Sequence, residues 1–247
     1  MPEISHLSRA PIIEALIHFQ SNAAEHWVPE NVRNELQPAW PEHVEVQEMR
    51  PVKFEFKQEA GKEPEQKITF PGVDGFIFRA PATQTVYHAR RDGLIVSWLA
   101  PYVNWATFRD SAMEAWGKFR QILAPEELHS VTLRHINRLE FPMADFRLAD
   151  FFTAPPAKPQ ELNDWQFHGF QHQTLFAVPN SGCAVQVVFT PMFDVAAEKV
   201  AFILDIEVRL KEPLVERTVE EVLEEMRVLK NKAFFSMLTP AALAQYQ

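Results

Sequence analysis

Charged residues occupy every second position of one stretch near the C-terminus, Asp205-x-Glu207-x-Arg209-x-Lys211, with Leu204, Ile206, Val208 and Leu210 between them. In an extended strand alternate side chains point to opposite faces, so this spacing gathers two carboxylates and two cations on one face and a hydrocarbon row on the other. A second stretch, "LRHINRLEF" (133–141), places Arg134, Ile136 and Arg138 on one face and His135, Asn137 and Leu139 on the other. If the two strands pair, Arg134 and Arg138 meet Asp205 and Glu207. On an open face such pairs are a solvated ladder worth about 0–1 kcal/mol each. Under a roof the same residues become a preformed anion site, because unpaired buried charge is costly. The ligand-binding candidates are therefore Arg134, Arg138, Asp205, Glu207, Arg209 and Lys211. No catalytic residue stands out.

Other chemistries find little support. "HGFQH" spaces His168 and His172 four apart, which suits a metal only on a helix; on a strand they stand about 13 Å apart. No H-E-x-x-H occurs, and neither a metal nor a cofactor is expected. Cys183 follows the turn residues "PNSG" and reads as a small residue opening a strand. It is the only cysteine, so no intrachain disulfide and no cysteine-based zinc site can form, as suits a reducing compartment. Seven glycines and the lack of G-x-G-x-x-G, G-x-x-x-x-G-K-[ST] and G-x-S-x-G argue against phosphate loops and a nucleophile elbow. The net charge of −9 disfavours nucleic-acid binding through Arg90, Arg91, Arg134 and Arg138. The N-terminus lacks the pattern of a signal peptide, and no run approaches 18 apolar residues. A cytoplasmic protein without a membrane partner is the expectation.

Several elements must position these residues. "PIIEALIHFQ" (11–20) reads as a first strand, and "PENVRNELQPAW" starts a short helix at Pro29 that stops before Pro41. "VEVQEM" and "VKFEFKQ" alternate as half-solvated antiparallel strands do, with 58–67 as a loop or long hairpin tip. "TVYHARRDGLIVSWL" predicts a hairpin about a type I′ turn at Asp92-Gly93, which sets Tyr87 opposite Trp98. Residues 104–123 predict a helix capped by Asn104. Its core stripe is Trp105, Phe108, Ala112, Ala115, Phe119 and Ile122, with a Glu114–Lys118 pair on another face. Strands are expected within 165–178, 183–190 and 200–211. A helix over 218–233 follows, with a Thr218/Glu221 capping box and a stripe of Val219, Val222, Leu223, Met226 and Leu229. Thr239 and Pro240 open a last short helix. The fold class is α+β: antiparallel sheets with long amphipathic helices packed on them. The halves are 1–141 and 165–247, joined by the Pro-rich stretch 142–164, in one compact domain or two. Each half reads as strands followed by one long helix, which suggests a duplicated βββα-type unit.

"RAPIIEALIHF", "RRDGLIVSWLAPYVNWATFRDSAMEAW", "LRHINRLEF" and "LDIEV…VLKNKAFFSMLTPAAL" together resemble a bacterial family of about this length, sporadically distributed and without an assigned activity. The resemblance implies an accessory or defence-associated gene and a partner protein encoded nearby, with homo-oligomer formation open. It carries over no catalytic residue. The charged strand is also similar to the E-x-E-x-K strand of triphosphate tunnel enzymes, but an Arg stands at the cation position and the motif lies near the C-terminus. The leading expectation is a non-enzymatic binding protein that recognises a partner protein or small ligand. The alternative is a metal-dependent phosphohydrolase using strand 205–211.

Overall fold

A computed structural model describes residues 7–21, 27–58, 65–125, 127–162, 164–165, 168–193, 198–210 and 217–247. In chain order the elements are β1 (Ile12–Ser21), α1 (Pro29–Ala39), β2 (Glu45–Met49), β3 (Lys53–Lys57), β4 (Glu65–Thr69), β5 (Gly75–Ala80), β6 (Thr85–Arg90), β7 (Gly93–Leu99), α2 (Trp105–Leu123), β8 (Leu128–Pro142), α3 (Leu148–Phe151), β9 (His172–Ala177), β10 (Cys183–Met192), β11 (Lys199–Leu210), α4 (Val219–Met237) and α5 (Pro240–Leu243). The fold is mixed, with large antiparallel pairing of its strands.

Two compact units emerge, neither continuous in sequence. One takes Met1–Ile17, Trp98–Asn104 and Ser130–Gln247, the other His18–Ser97 and Trp105–His129. They are not the halves 1–141 and 165–247. The reason is pairing: β8, which ends the first of those halves, bonds antiparallel to β11 in the second.

The first unit orders its strands β1-β8-β11-β10-β9. Leu133, His135, Asn137 and Leu139 stand opposite Val208, Ile206, Leu204 and Phe202, and all eight are buried. Helix α4 packs on β10 and β11 with Val222, Leu223, Met226 and Phe234 buried. Its start is the expected capping box: Thr218 Oγ1 accepts from the Glu221 N–H, and a Glu221 carboxylate oxygen accepts from the Thr218 N–H. Further along the same sheet, Phe141, Phe152, Phe189 and Phe202 pack ring on ring, with centroids 4.4–6.4 Å apart. This cluster is where much of the chain's phenylalanine content goes.

The second unit orders its strands β2-β5-β6-β7-β1. Phe108, Ala112, Ala115 and Phe119 of α2 are buried as expected, and Trp116 joins them, stacked on Phe19 of β1 at 5.0 Å. Trp105 is only half-buried. The 85–99 hairpin exists, but its strands end at Arg90 and resume at Gly93, so the connecting residues are Arg91 and Asp92. A type I′ turn needs positive φ at both central residues. Neither has it here; Gly93 does, at +142°. Glycine is required for another reason: a Cβ there would sit 2.1 Å from the carbonyl oxygen of Phe19. The expected Tyr87–Trp98 pairing gives way accordingly. Tyr87 stacks on His43 at 3.9 Å, and Trp98 Nε1 donates to the Pro101 carbonyl at 3.3 Å.

Candidate functional site

Strand register sets Glu207 opposite Arg134, Asp205 opposite Ile136 and Ile203 opposite Arg138. Arg134 turns its guanidinium to Asp205, donating from Nε at 2.8 Å and from Nη2 at 2.5 Å. That forked bond raises the Arg134 pKa despite partial burial. Arg209 donates to Glu207, two residues back on its own strand, at 2.7 Å. Arg138 does not meet Asp205 or Glu207. It lies beyond them along β8 and pairs with Glu140, at 2.8 Å. Lys199 holds the other Glu140 oxygen at 2.8 Å, and this bond is the main cause that lowers the Glu140 pKa. Lys211 lies outside the described residues.

Four of the expected residues therefore do come together, Arg134, Asp205, Glu207 and Arg209, with Arg138 a step away in a separate pair. Each cation has a carboxylate. The Arg134 and Arg138 side chains remain 37% and 38% exposed, while the Asp205 and Glu207 side chains are 13% and 17% exposed. Charges paired in this way serve as scaffold, with little charge left over for a ligand. Among the described residues, no three His, Cys, Asp or Glu side chains converge as a metal cage. His168 lies outside any strand and His172 opens β9, so the spacing in "HGFQH" builds no helical ligand pair.

The opposite face of β8 holds a different set. His135 is fully buried and Asn137 nearly so. Asn137 Nδ2 donates to the Leu204 carbonyl at 2.9 Å, which fastens β8 to β11. The His135 ring meets Tyr102 edge to face, centroids 5.7 Å apart. Burial, then the positive charge of Lys230, pushes the His135 pKa well down, so the imidazole is neutral. Lys230 lies on α4 at the fourth position after Met226 and the fourth before Phe234, in the stripe that those buried residues define. Burial is the larger cause that brings its pKa down to about 7, and the charge of Arg227 is the second. Tyr102 has its phenol pKa raised by burial, against the opposing effect of Arg227. Arg227 itself donates to Glu224 at 2.7 Å.

A third feature belongs to the second unit. Strands β3 and β4 form a two-stranded sheet of their own, with Phe54 opposite Ile68 and Phe56 opposite Gln66. Phe54, Phe56 and Ile68 share one face, and Phe70 follows directly after the end of β4. All four are exposed, Phe54 and Phe70 at 76% each. The other face carries Lys53, Glu55, Lys57 and Lys67. The alternation in "VKFEFKQ" marks β3, whereas β4 begins at Glu65, inside the stretch 58–67 expected as a loop or hairpin tip; nothing in the sequence tells which face of the pair is covered.

No family model matches this chain, and no curated protein matches it. No helix among the described residues is long and apolar enough to cross a membrane.

Proposed function

We propose that this chain is a non-enzymatic binding protein that recognises a partner protein through the apolar face of the β3–β4 hairpin. The carrying observation is the exposure of Phe54, Phe56 and Ile68 on one side of a two-stranded sheet, with the exposed Phe70 directly after it in the chain. A hairpin alone is marginally stable in water, and contiguous exposed aromatic surface marks interaction sites. Charges of both signs flank the patch, Glu55 among three lysines, which suits a mixed protein surface better than an anionic membrane.

The bacterial accessory role implied by the family resemblance, and a cytoplasmic location, belong to the same proposal. So does the duplicated βββα-type unit, which the presence of one 19-residue helix in each compact unit supports. The phosphohydrolase alternative draws no support from the charged strand. Asp205 is engaged by Arg134 and Glu207 by Arg209, so neither carboxylate is held ready for a metal.

The test is a paired capture with wild type and a Phe54→Ser/Phe70→Ser variant, after circular dichroism has shown both folded. A protein retained by wild type is then purified and titrated. The reading expects binding at least tenfold weaker for the variant. Equal binding by both chains sinks it, and so does sedimentation of wild type as a dimer that the variant abolishes, since the occupant is then a second copy.

A further inference from the structure

Strand β9 ends the sheet of the first unit, and among the described residues it bonds to β10 alone. One bond fixes which of its backbone groups face outward. The Val178 N–H donates to the Cys183 carbonyl at 3.1 Å. These two residues stand opposite each other in the register that pairs Ala177 with Ala184. Opposed residues of an antiparallel ladder alternate between hydrogen-bonded and non-hydrogen-bonded pairs. His172, Thr174 and Phe176 therefore turn their backbone groups to β10. Gln173, Leu175 and Ala177 turn theirs away, which leaves three N–H and three C=O groups along one edge.

Proteins guard such edges with charge, proline or a bulge. In the second unit the end strand β2 carries Glu45 and Glu48, with Pro41 before it and Pro51 after it. β9 has none of these guards. From Gly169 to Val178 there is no Asp, Glu, Lys, Arg or Pro. Its register with β10 runs unbroken from His172 to Ala177, without a bulge. Leu175 and Phe176, on opposite faces of the strand, are 62% and 50% exposed.

Charge and symmetry select the occupant. The chain has a net charge of −9, which sets most of its surface against a second copy. β9 and β10 contain no Asp, Glu, Lys or Arg, so two copies meet here without like charges opposed. The outward residues are centred on Leu175. A two-fold axis through Leu175, perpendicular to the sheet, lays β9 antiparallel on its own copy. Leu175 then pairs with its counterpart and Gln173 with the counterpart of Ala177. Every outward N–H and C=O of the three residues finds a partner. On one face the two Leu175 side chains cover each other, and on the other Phe176 lies over the counterpart of Thr174.

We propose that two copies of this chain associate through β9, antiparallel about Leu175, and join their sheets edge to edge. So short a contact sits at the small end of specific interfaces, below about 1,200 Å² in total, and the dimer is reversible. The β3–β4 hairpin takes no part in it.

Sedimentation equilibrium of the full chain over the micromolar range should show the mass rising with concentration from 28.5 kDa towards twice that value. Leu175→Pro should stay at one chain with unchanged circular dichroism, because the N–H it removes points away from β10 and an edge tolerates proline. Leu175→Cys, treated with diamide, should form an interchain disulfide, since the axis holds its two Cα atoms about 5.5 Å apart. Gln173→Cys should not, as its two copies lie about 14 Å apart along the ladder. Cys183 is buried, so the introduced thiol is the exposed one. A mass fixed at one chain leaves the edge free or to some other strand and overturns the proposal. So does a dimer that survives Leu175→Pro, a dimer that Phe54→Ser/Phe70→Ser abolishes, or equal cross-linking of the two cysteine variants. If Leu175→Pro does not fold, the cysteine variants decide.

Discussion

Arg134 and Asp205 join β8 to β11 diagonally: the guanidinium passes over its register partner Glu207 and forks onto the carboxylate opposite Ile136. The forked geometry favours a real coupling, but Arg134 is 37% exposed and solvent screens it. A double-mutant cycle on Arg134 and Asp205 should give about 0.5–1 kcal/mol at low salt, shrinking at high salt. The same cycle on Arg138 and Glu207 should give a coupling near zero, because Arg138 belongs to Glu140. Equal couplings in chemical denaturation of the two sets would contradict the observed pairing.

Two glycines should answer alanine in opposite ways. At Gly93 a Cβ meets the Phe19 carbonyl at 2.1 Å, and φ is +142°. Gly93→Ala should cost more than about 2 kcal/mol, as a substitution that is strained and also clashes. At Gly117, inside α2, a Cβ meets nothing within 4 Å. Gly117→Ala should stabilise by about 0.4–1 kcal/mol. Urea melts of the two variants check the pair at once.

Phe108 and Phe119 are each 1% exposed, on the face of α2 that also buries Trp116. Truncation of either to Ala should cost about 3–5 kcal/mol. A loss under 1 kcal/mol in the denaturation midpoint would mean the site collapses around the hole or was never packed.

His43 gives acid a way in. Burial, with a smaller push from Lys118, lowers its pKa to about 4, against about 6.5 when free. Its Nε2 shares a hydrogen bond with Thr85 at 3.0 Å, and its ring lies on Tyr87. Between pH 6.5 and 4 the unfolded chain takes up this proton and the folded chain does not. The group's contribution is therefore complete above pH 6.5 and is lost as pH falls through that window, by at most about 1.4 kcal/mol per pH unit. The stability difference between wild type and His43→Leu should change with pH across this window and level off above it. A flat difference would place a charged histidine in the fold.

The parts that could be read ahead share a cause: their signal is local. Period-2 alternation marked β8 and β11, and the Thr218–Glu221 spacing marked the start of α4. β5, "GFIFRA", was missed; its hydrophobic positions run together because four of its six residues are buried, which erases the alternation. The stripe of α4 was drawn through Leu229 and stopped short of Lys230, since a lysine in a buried row looks like the row's end. What placed it inside was Phe234, four residues on, buried in its turn. The ion pairs were foreseen as a class. Their partners depend on register and on side-chain reach, neither of which a single strand's pattern contains, so Arg138 was assigned to the wrong acid.

The division of β1 between the two units has a consequence for the order of synthesis. Every residue of the second unit, up to His129, has been synthesised before most of β8 is made. The segment Ile12–Ile17 is made before the second unit, yet its neighbour in the first unit is β8, and β8 in turn needs β11 and the α4 that covers it. Early residues of the first unit must thus wait for β8, β11 and α4, a long closure that slows assembly. A nascent chain stopped after residue 129 holds the complete inventory of the second unit and only a remnant of the first. No single uninterrupted fragment can supply the first unit alone.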